Sequence, residues 1–156
     1  MSKIKVLFVA SEIAPYAKTG GLADVSSALP IALEEKGLNV ISVMPLYSKI
    51  DREKYALEKV MDMACVHMGN CEEWYSVYHT TKPFGNHVYF IEFNKYFDRA
   101  GIYHDSNGEY SDNPYRYAFF CRAAMQLAKD LEFQPDIIHT NDWQTAFIPY
   151  YLKCGE

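Results

Sequence analysis

Residues Lys3 to Ala10 (KIKVLFVA) constrain the fold more than any other stretch of this sequence. The run is mostly apolar and partly β-branched, which suits a strand buried on both faces of a parallel sheet. A loop follows, Ser11 to Gly21 (SEIAPYAKTGG), with one proline and two adjacent glycines. Leu22, Val25, Ala28, Leu29, Ala32 and Leu33 then recur at helical spacing, and Gly37 stands where a C′ glycine would end the helix. Pro30 lacks an N–H, so the pattern predicts a kink or a break there. Asn39 to Met44 (NVISVM) reads as a second buried strand, stopped by Pro45. Strand, helix and strand in this order make a βαβ unit, which is right-handed almost without exception.

The middle of the chain changes character. Ala56 to Met68, Trp74 to Thr80 and His87 to Glu92 are three strand-like runs. The loop Lys82 to Asn86 (KPFGN) predicts a hairpin between the last two. No helical pattern separates these runs, so they should form an antiparallel extension at the sheet's edge. Asn94 to Tyr110 is aromatic and irregular and reads as a long loop. Asn113 then suits an N-cap, with Pro114 at N1. Tyr117, Phe120, Cys121, Ala124, Leu127, Ala128 and Leu131 mark the buried face of that helix. Pro135 to His139 (PDIIH) is another short buried strand, and Asp142 to Lys153 another helix. The fold class is α/β, with helices packed on a mainly parallel sheet, in one domain over residues 1–156.

A chain of 156 residues, 49% of them hydrophobic, can bury about 70% of its unfolded surface without help from disulfides or a metal. No apolar run approaches the roughly 20 residues that cross a bilayer. A strand beginning at Lys3 leaves no room for a signal peptide. The net charge of −5 argues against nucleic acid as a partner. Cys65, Cys71, Cys121 and Cys154 show no C-x-x-C and no matching Cys/His pair, so reduced thiols are expected rather than a zinc site or a disulfide framework. His67, His79, His87 and His104 lack metal-ligand spacing. The expectation is a cytoplasmic protein with no metal, no membrane and no nucleic acid.

Ligands of open parallel sheets bind where strands lead into helices. Two such junctions carry more polar residues than a bare turn requires. The first holds Glu12, Lys18, Thr19, Gly20, Gly21 and Asp24. Adjacent glycines before a helix admit a ligand close to the backbone, free N–H groups attract anions, and Lys18 adds a full positive charge. The string is neither a P-loop nor a G-x-G-x-x-G fingerprint. It suits a diphosphate, and equally an ordinary glycine-containing loop with a surface lysine. The second junction reads His139, Thr140, Asn141, Asp142, Trp143, Gln144. Asp142 could cap the next helix, and His139 and Trp143 could be core packing. Carboxylate, amide and aromatic groups are also what sugars require.

Taken together, the two junctions resemble a known family. Val6 to Asp24 (VLFVASEIAPYAKTGGLAD), with Val25 and Leu29-Pro30, resembles the N-terminal signature of bacterial glycogen synthases and plant starch synthases. Asp136 to Thr145 (DIIHTNDWQT) resembles the same family's second motif, and Asp112-Asn113 with Arg116-Tyr117 a segment between them. The resemblance covers the chain and is strongest at its two ends. It implies a Rossmann-like domain with helices on both faces of the sheet, one half of a GT-B arrangement. The second, nucleotide-binding domain is expected to lie outside residues 1–156, which would leave this chain alone with little or no turnover. The implied reaction moves glucose from ADP-glucose to the non-reducing end of an α-1,4-glucan, with retention and without a cofactor. The implied partners are ADP-glucose, the glucan and the enzyme's C-terminal domain.

Carried over residue by residue, the resemblance puts Lys18 beside the donor phosphates, with Gly20 and Gly21 supplying N–H groups and room. It puts Asp142 close to the transferred glucose as the catalytic residue. Glu12 and Asp24 match acidic cleft positions, and Tyr103 an aromatic on the acceptor side. His139, Asn141 and Trp143 complete the substrate-binding set. Many members carry histidine where this chain has Asn141, so a hydrogen-bonding role is implied there rather than an acid–base one. Two rival readings remain: a non-catalytic glucan-binding or regulatory module, and another retaining GT-B glycosyltransferase, against which the K-T-G-G-L-A-D string counts.

Overall fold

The opening apolar run becomes strand β1 (Lys5–Val9), buried from Val6 onward. The structure is a computed structural model and describes residues 3–154. Helix α1 (Leu22–Glu35) carries the chain to β2 (Asn39–Pro45), which pairs parallel with β1. Gly37 ends α1 at φ 89°, a left-handed value that glycine adopts without strain. Pro30 lies buried inside α1, which runs on past it unbroken. The predicted break is absent; only the one backbone bond that Pro30 cannot donate is lost.

Strands β3 (Glu58–Met68), β4 (Cys71–Thr80) and β5 (His87–Glu92) form the antiparallel section, in which β4 pairs with both neighbours. β5 in turn pairs parallel with β2. β4 starts three residues before the expected Trp74, because the turn at Gly69 makes β3 and β4 a tight hairpin. The expected long loop after β5 contains a helical turn, α2 (Asn94–Phe97), and a two-strand ladder, β6 (His104–Asp105) with β7 (Gly108–Glu109).

Helix α3 (Asn113–Asp130) begins one residue earlier than a cap at Asn113 would allow. Asp112 is the flanking residue, and neither side chain caps the helix. Tertiary bonds compete for both. Asp112 accepts two bonds from Arg99, at 2.7 and 2.6 Å. Asn113 donates to the Tyr103 carbonyl and accepts from Arg116. β8 (Ile137–Thr140) then pairs parallel with β1. The predicted final helix is split into a 3₁₀ turn, Trp143–Thr145, and α4 (Phe147–Cys154).

Among the described residues the main sheet runs β3-β4-β5-β2-β1-β8. The β1-α1-β2 crossover moves one way along it, and β5-α3-β8 moves the other. Right-handed crossovers in opposite directions place α1 and α3 on opposite faces. The four parallel strands are therefore covered on both sides, as their near-continuous apolar sequences require. No helix of the described residues is long and apolar enough to cross a membrane.

Candidate functional site

β1 and β8 lie side by side, with Val9 opposite Thr140. The loops leaving their carboxyl ends therefore emerge together. One connection departs toward β2 and the other arrives from β5, so this gap is the topological switch point of the sheet. The two junctions singled out in the sequence are one place.

Glu12 organises the first loop from below. It is 2% exposed and accepts from Thr19 N at 2.5 Å and Thr19 Oγ1 at 2.7 Å. The Tyr103 hydroxyl donates to the same carboxylate at 2.6 Å and stands 2.8 Å from Ser11 Oγ. Three donors compensate a buried charge that would otherwise be costly. Burial, and then the Glu12 carboxylate, push the Tyr103 phenol well above its ordinary range. It remains a donor at any physiological pH. Tyr47, fully buried and likewise raised chiefly by burial, donates to the Ser11 carbonyl at 2.9 Å.

Above this platform, Lys18 Nζ bonds both Asp24 carboxylate oxygens, at 2.7 and 2.8 Å, with both side chains more than half exposed. Gly20 and Gly21 have no positive φ, and a Cβ built on either meets nothing within 4 Å. Neither backbone geometry nor internal packing therefore asks for glycine at these positions. What two adjacent glycines provide here is open approach to the backbone beside a lysine.

At the β8 end, Asp142 has φ 63° and ψ −176°. That region belongs almost entirely to glycine and costs a side-chain-bearing residue about 1–3 kcal/mol. Its exposed carboxylate accepts from Trp143 N at 2.7 Å, so Asp142 does cap, but it caps only the short 3₁₀ turn. Asn141 is buried, and its amide donates to the Val9 carbonyl at 2.9 Å, tying the two strand ends together. His139 is half-buried and stacks on Phe8 at 4.9 Å. Its Nδ1 is buried with no hydrogen-bond partner among the described residues. Trp143 is half-exposed, with its ring 5.2 Å from Tyr117 and 5.8 Å from Tyr103.

Tyr103 thus touches both junctions, Glu12 of one and Trp143 of the other. The loop that presents it contains Gly101, where a Cβ would lie 1.9 Å from the His104 carbonyl oxygen, so glycine is obligatory there. Arg116, fully buried, donates to the carbonyls of Tyr96 and Ile102 and to Asn113 Oδ1 at 2.6–2.9 Å. Motif reading left Thr19, Gly101 and the clamping role of Arg116 unassigned. Their signals are contacts that only the folded chain shows: the Thr19–Glu12 bonds, the close approach of Gly101 to the His104 carbonyl, and the Arg116 bonds to Tyr96 and Ile102. Beside Lys18 and Tyr103 a groove of about 390 Å³ opens, with Lys49 and His104 also on its walls.

Residues 5–156 match the family described as the starch synthase catalytic domain. A glycogen synthase of Geotalea daltonii is 44% identical over 150 residues, covering 96% of this chain and 31% of that protein. Glycogen synthase 1 of Geobacter sulfurreducens is 43% identical over 156 residues, covering 98% of this chain and 31% of that protein. The solved catalytic domain of starch synthase IV from Arabidopsis thaliana, bound to ADP and acarbose, superposes with a TM-score of 0.85 at 33% identity. That likeness covers 97% of this chain and 30% of the solved chain. The chain thus spans about a third of the length of the relatives it matches.

Proposed function

The chain belongs to the starch synthase catalytic-domain family, and from that premise we propose that it forms the acceptor-side half of an ADP-glucose-dependent glucan synthase. In this reading it acts in the cytoplasm with the C-terminal domain of the same enzyme. The pair transfers glucose, with retention, to the non-reducing end of an α-1,4-glucan. The observation that carries the reading is the meeting of the Lys18-Thr19-Gly20-Gly21 loop and the Asp142-Trp143 turn at the ends of adjacent strands.

The chemistry follows from charge. Breaking the bond between the sugar's C1 and the phosphate oxygen leaves negative charge on the diphosphate and positive charge on the ring. Lys18 exchanges Asp24 for the diphosphate, and the N–H groups around Gly20 and Gly21 add to the same pole. The Asp142 carboxylate faces the opposite pole. Fixed groups aimed at developing charge need no reorganisation when the bond breaks. Asp142 is held for that task by an otherwise unfavourable backbone. Trp143 and Tyr103 supply ring faces for the acceptor, and Glu12, Asp24, His139 and Asn141 line or brace the cleft.

Incorporation of labelled glucose from ADP-glucose into glycogen tests this in the full-length enzyme. Lys18→Ala and Asp142→Ala should each reduce turnover at least a hundredfold with the fold retained. Near-normal turnover in both would remove the assignment. The 156-residue chain alone should incorporate almost nothing.

A further inference from the structure

His67, His79, His87 and His104 show no ligand spacing along the chain, yet the fold brings two of them into contact. In the β4–β5 ladder His79 stands opposite Tyr89, whose ring packs against it at 4.6 Å. His87 lies two residues before Tyr89, on the same face and diagonal to His79. Its Nδ1 is 2.9 Å from His79 Nε2, and the two rings are stacked with centroids 5.1 Å apart. Ligand-spacing rules are written for one helix or one turn; here a hairpin closes a gap of eight residues.

Two ring nitrogens this close can share a proton or a metal ion. Burial, and then His87, lower the His79 pKa against the opposing pull of Glu58, its partner on β3. His79 is therefore uncharged at neutral pH, the form in which imidazole binds metal. Glu34 of α1 interacts with the charge of His87 from the other side, with Lys3 beside it. Next to His79 lies a hollow of about 160 Å³ with Glu58 and Lys82 in its wall. Among the described residues no group of three or more His, Cys, Asp and Glu gathers as a ligand set, so the two imidazoles are the ligands available. Metal–imidazole bonds of about 2.0–2.1 Å make two nitrogens 2.9 Å apart subtend about 90° at a shared ion. A tetrahedral ion requires them about 3.3 Å apart. The right angle suits the square-planar or tetragonal ions, Cu²⁺ and Ni²⁺.

We propose that His79 and His87 form a bidentate site for one divalent transition-metal ion of the Cu²⁺ or Ni²⁺ class, which clips β4 to β5. The proton between the rings passes through solvent to the far nitrogen of the ring that donated it, leaving two lone pairs for the metal. Water fills the remaining positions. Glu58 and Glu34 offset the added charge without ligating, against Lys3 and Lys82. His87 is the first residue of β5, which runs parallel to β2, so the site lies at the amino ends of the parallel strands, opposite the cleft. It is independent of the glucan reading of that cleft.

Ni²⁺ titration and urea unfolding of the chain test this. The parent should bind one Ni²⁺, and saturating Ni²⁺ should raise the urea midpoint, because the ion binds the closed hairpin. His79→Ala and His87→Ala should each weaken binding at least about tenfold and abolish that rise. His67→Ala should change neither. With Cu²⁺, the electron paramagnetic resonance spectrum of the parent should show two equatorial ring nitrogens, a readout that needs no variant to fold. A single ring nitrogen in the parent overturns the site. So does Ni²⁺ affinity retained in both alanine variants, or a urea midpoint that millimolar Ni²⁺ leaves unchanged.

Discussion

Tyr103 and Glu12, 91 residues apart in sequence, share a 2.6 Å hydrogen bond from phenol to carboxylate. Through Glu12 that bond reaches Thr19, and through the Tyr103 ring it reaches Trp143. It joins the Ser11–Gly21 loop to the Asp142–Trp143 turn, beside the bond from the Asn141 amide to the Val9 carbonyl. Tyr103→Phe removes one of three donors from a buried carboxylate. We expect a loss of about 1–3 kcal/mol in urea unfolding, the cost of leaving a buried charged acceptor short of a partner. Amide exchange should quicken at Thr19. Unchanged exchange there would break the proposed link.

Asp142 separates stability from chemistry. Asp142→Gly removes the backbone strain, about 1–3 kcal/mol, and a glycine cap costs only a few tenths. The variant should therefore unfold at higher urea than the parent chain. Asp142→Ala keeps the strain and loses the cap, so it should unfold at lower urea. In the full-length enzyme both should be severely impaired in transfer. A destabilised Asp142→Gly would mean that the strain is not real.

Gly20→Ala and Gly21→Ala test whether these glycines serve a ligand. With no positive φ and no atom within 4 Å of either Cβ, the fold accepts alanine. Each substitution should leave stability unchanged or raise it by about 0.4–1 kcal/mol through the unfolded state. ADP-glucose affinity of the full-length enzyme should fall at least tenfold. Retained affinity would assign the glycines to the loop alone.

Arg116 tests the clamp on the 94–112 segment. Arg116→Met leaves the carbonyls of Tyr96 and Ile102 without its bonds, in a fully buried position. Leaving those two acceptors without their donor costs about 1–3 kcal/mol each. That is a large share of the roughly 5–15 kcal/mol that holds a domain together. A urea midpoint within error of the parent would refute the clamp.

The alkaline limb of stability follows from buried acids that stay protonated when folded. Burial raises Cys121 from 9.0 to about 12, and Tyr16 and Tyr117 from 10.0 to about 12. Tyr16 has Tyr55 as a further contributor, whereas hydrogen bonds and nearby arginines partly offset the shift at Tyr117. Unfolded, these groups lose their protons first, so stability is full below about pH 9 and falls as pH rises toward 12. The urea midpoint should be flat from pH 7 to 9 and drop steeply above 10. A flat profile to pH 11.5 would contradict this.

The local elements were legible because their signals are local. Apolar β-branched runs gave β1, β2 and β5, the absence of a helical pattern after residue 56 gave the antiparallel edge, and Gly37 marked a helix end. The stretches Val6 to Asp24 and Asp136 to Thr145 carried the resemblance to the family. Tertiary competition decided the rest. Arg99 and Arg116 took the side chains of Asp112 and Asn113 that capping rules would have placed at the start of α3. The strain at Asp142 is a backbone state that residue type cannot announce. The Tyr103–Glu12 bond exists only because the segment between β5 and α3 lies against the loop that follows β1. Sequence alone determined which groups this chain possesses; the order of strands determined which of them meet, because a hydrogen bond depends on position in space and not on separation along the chain.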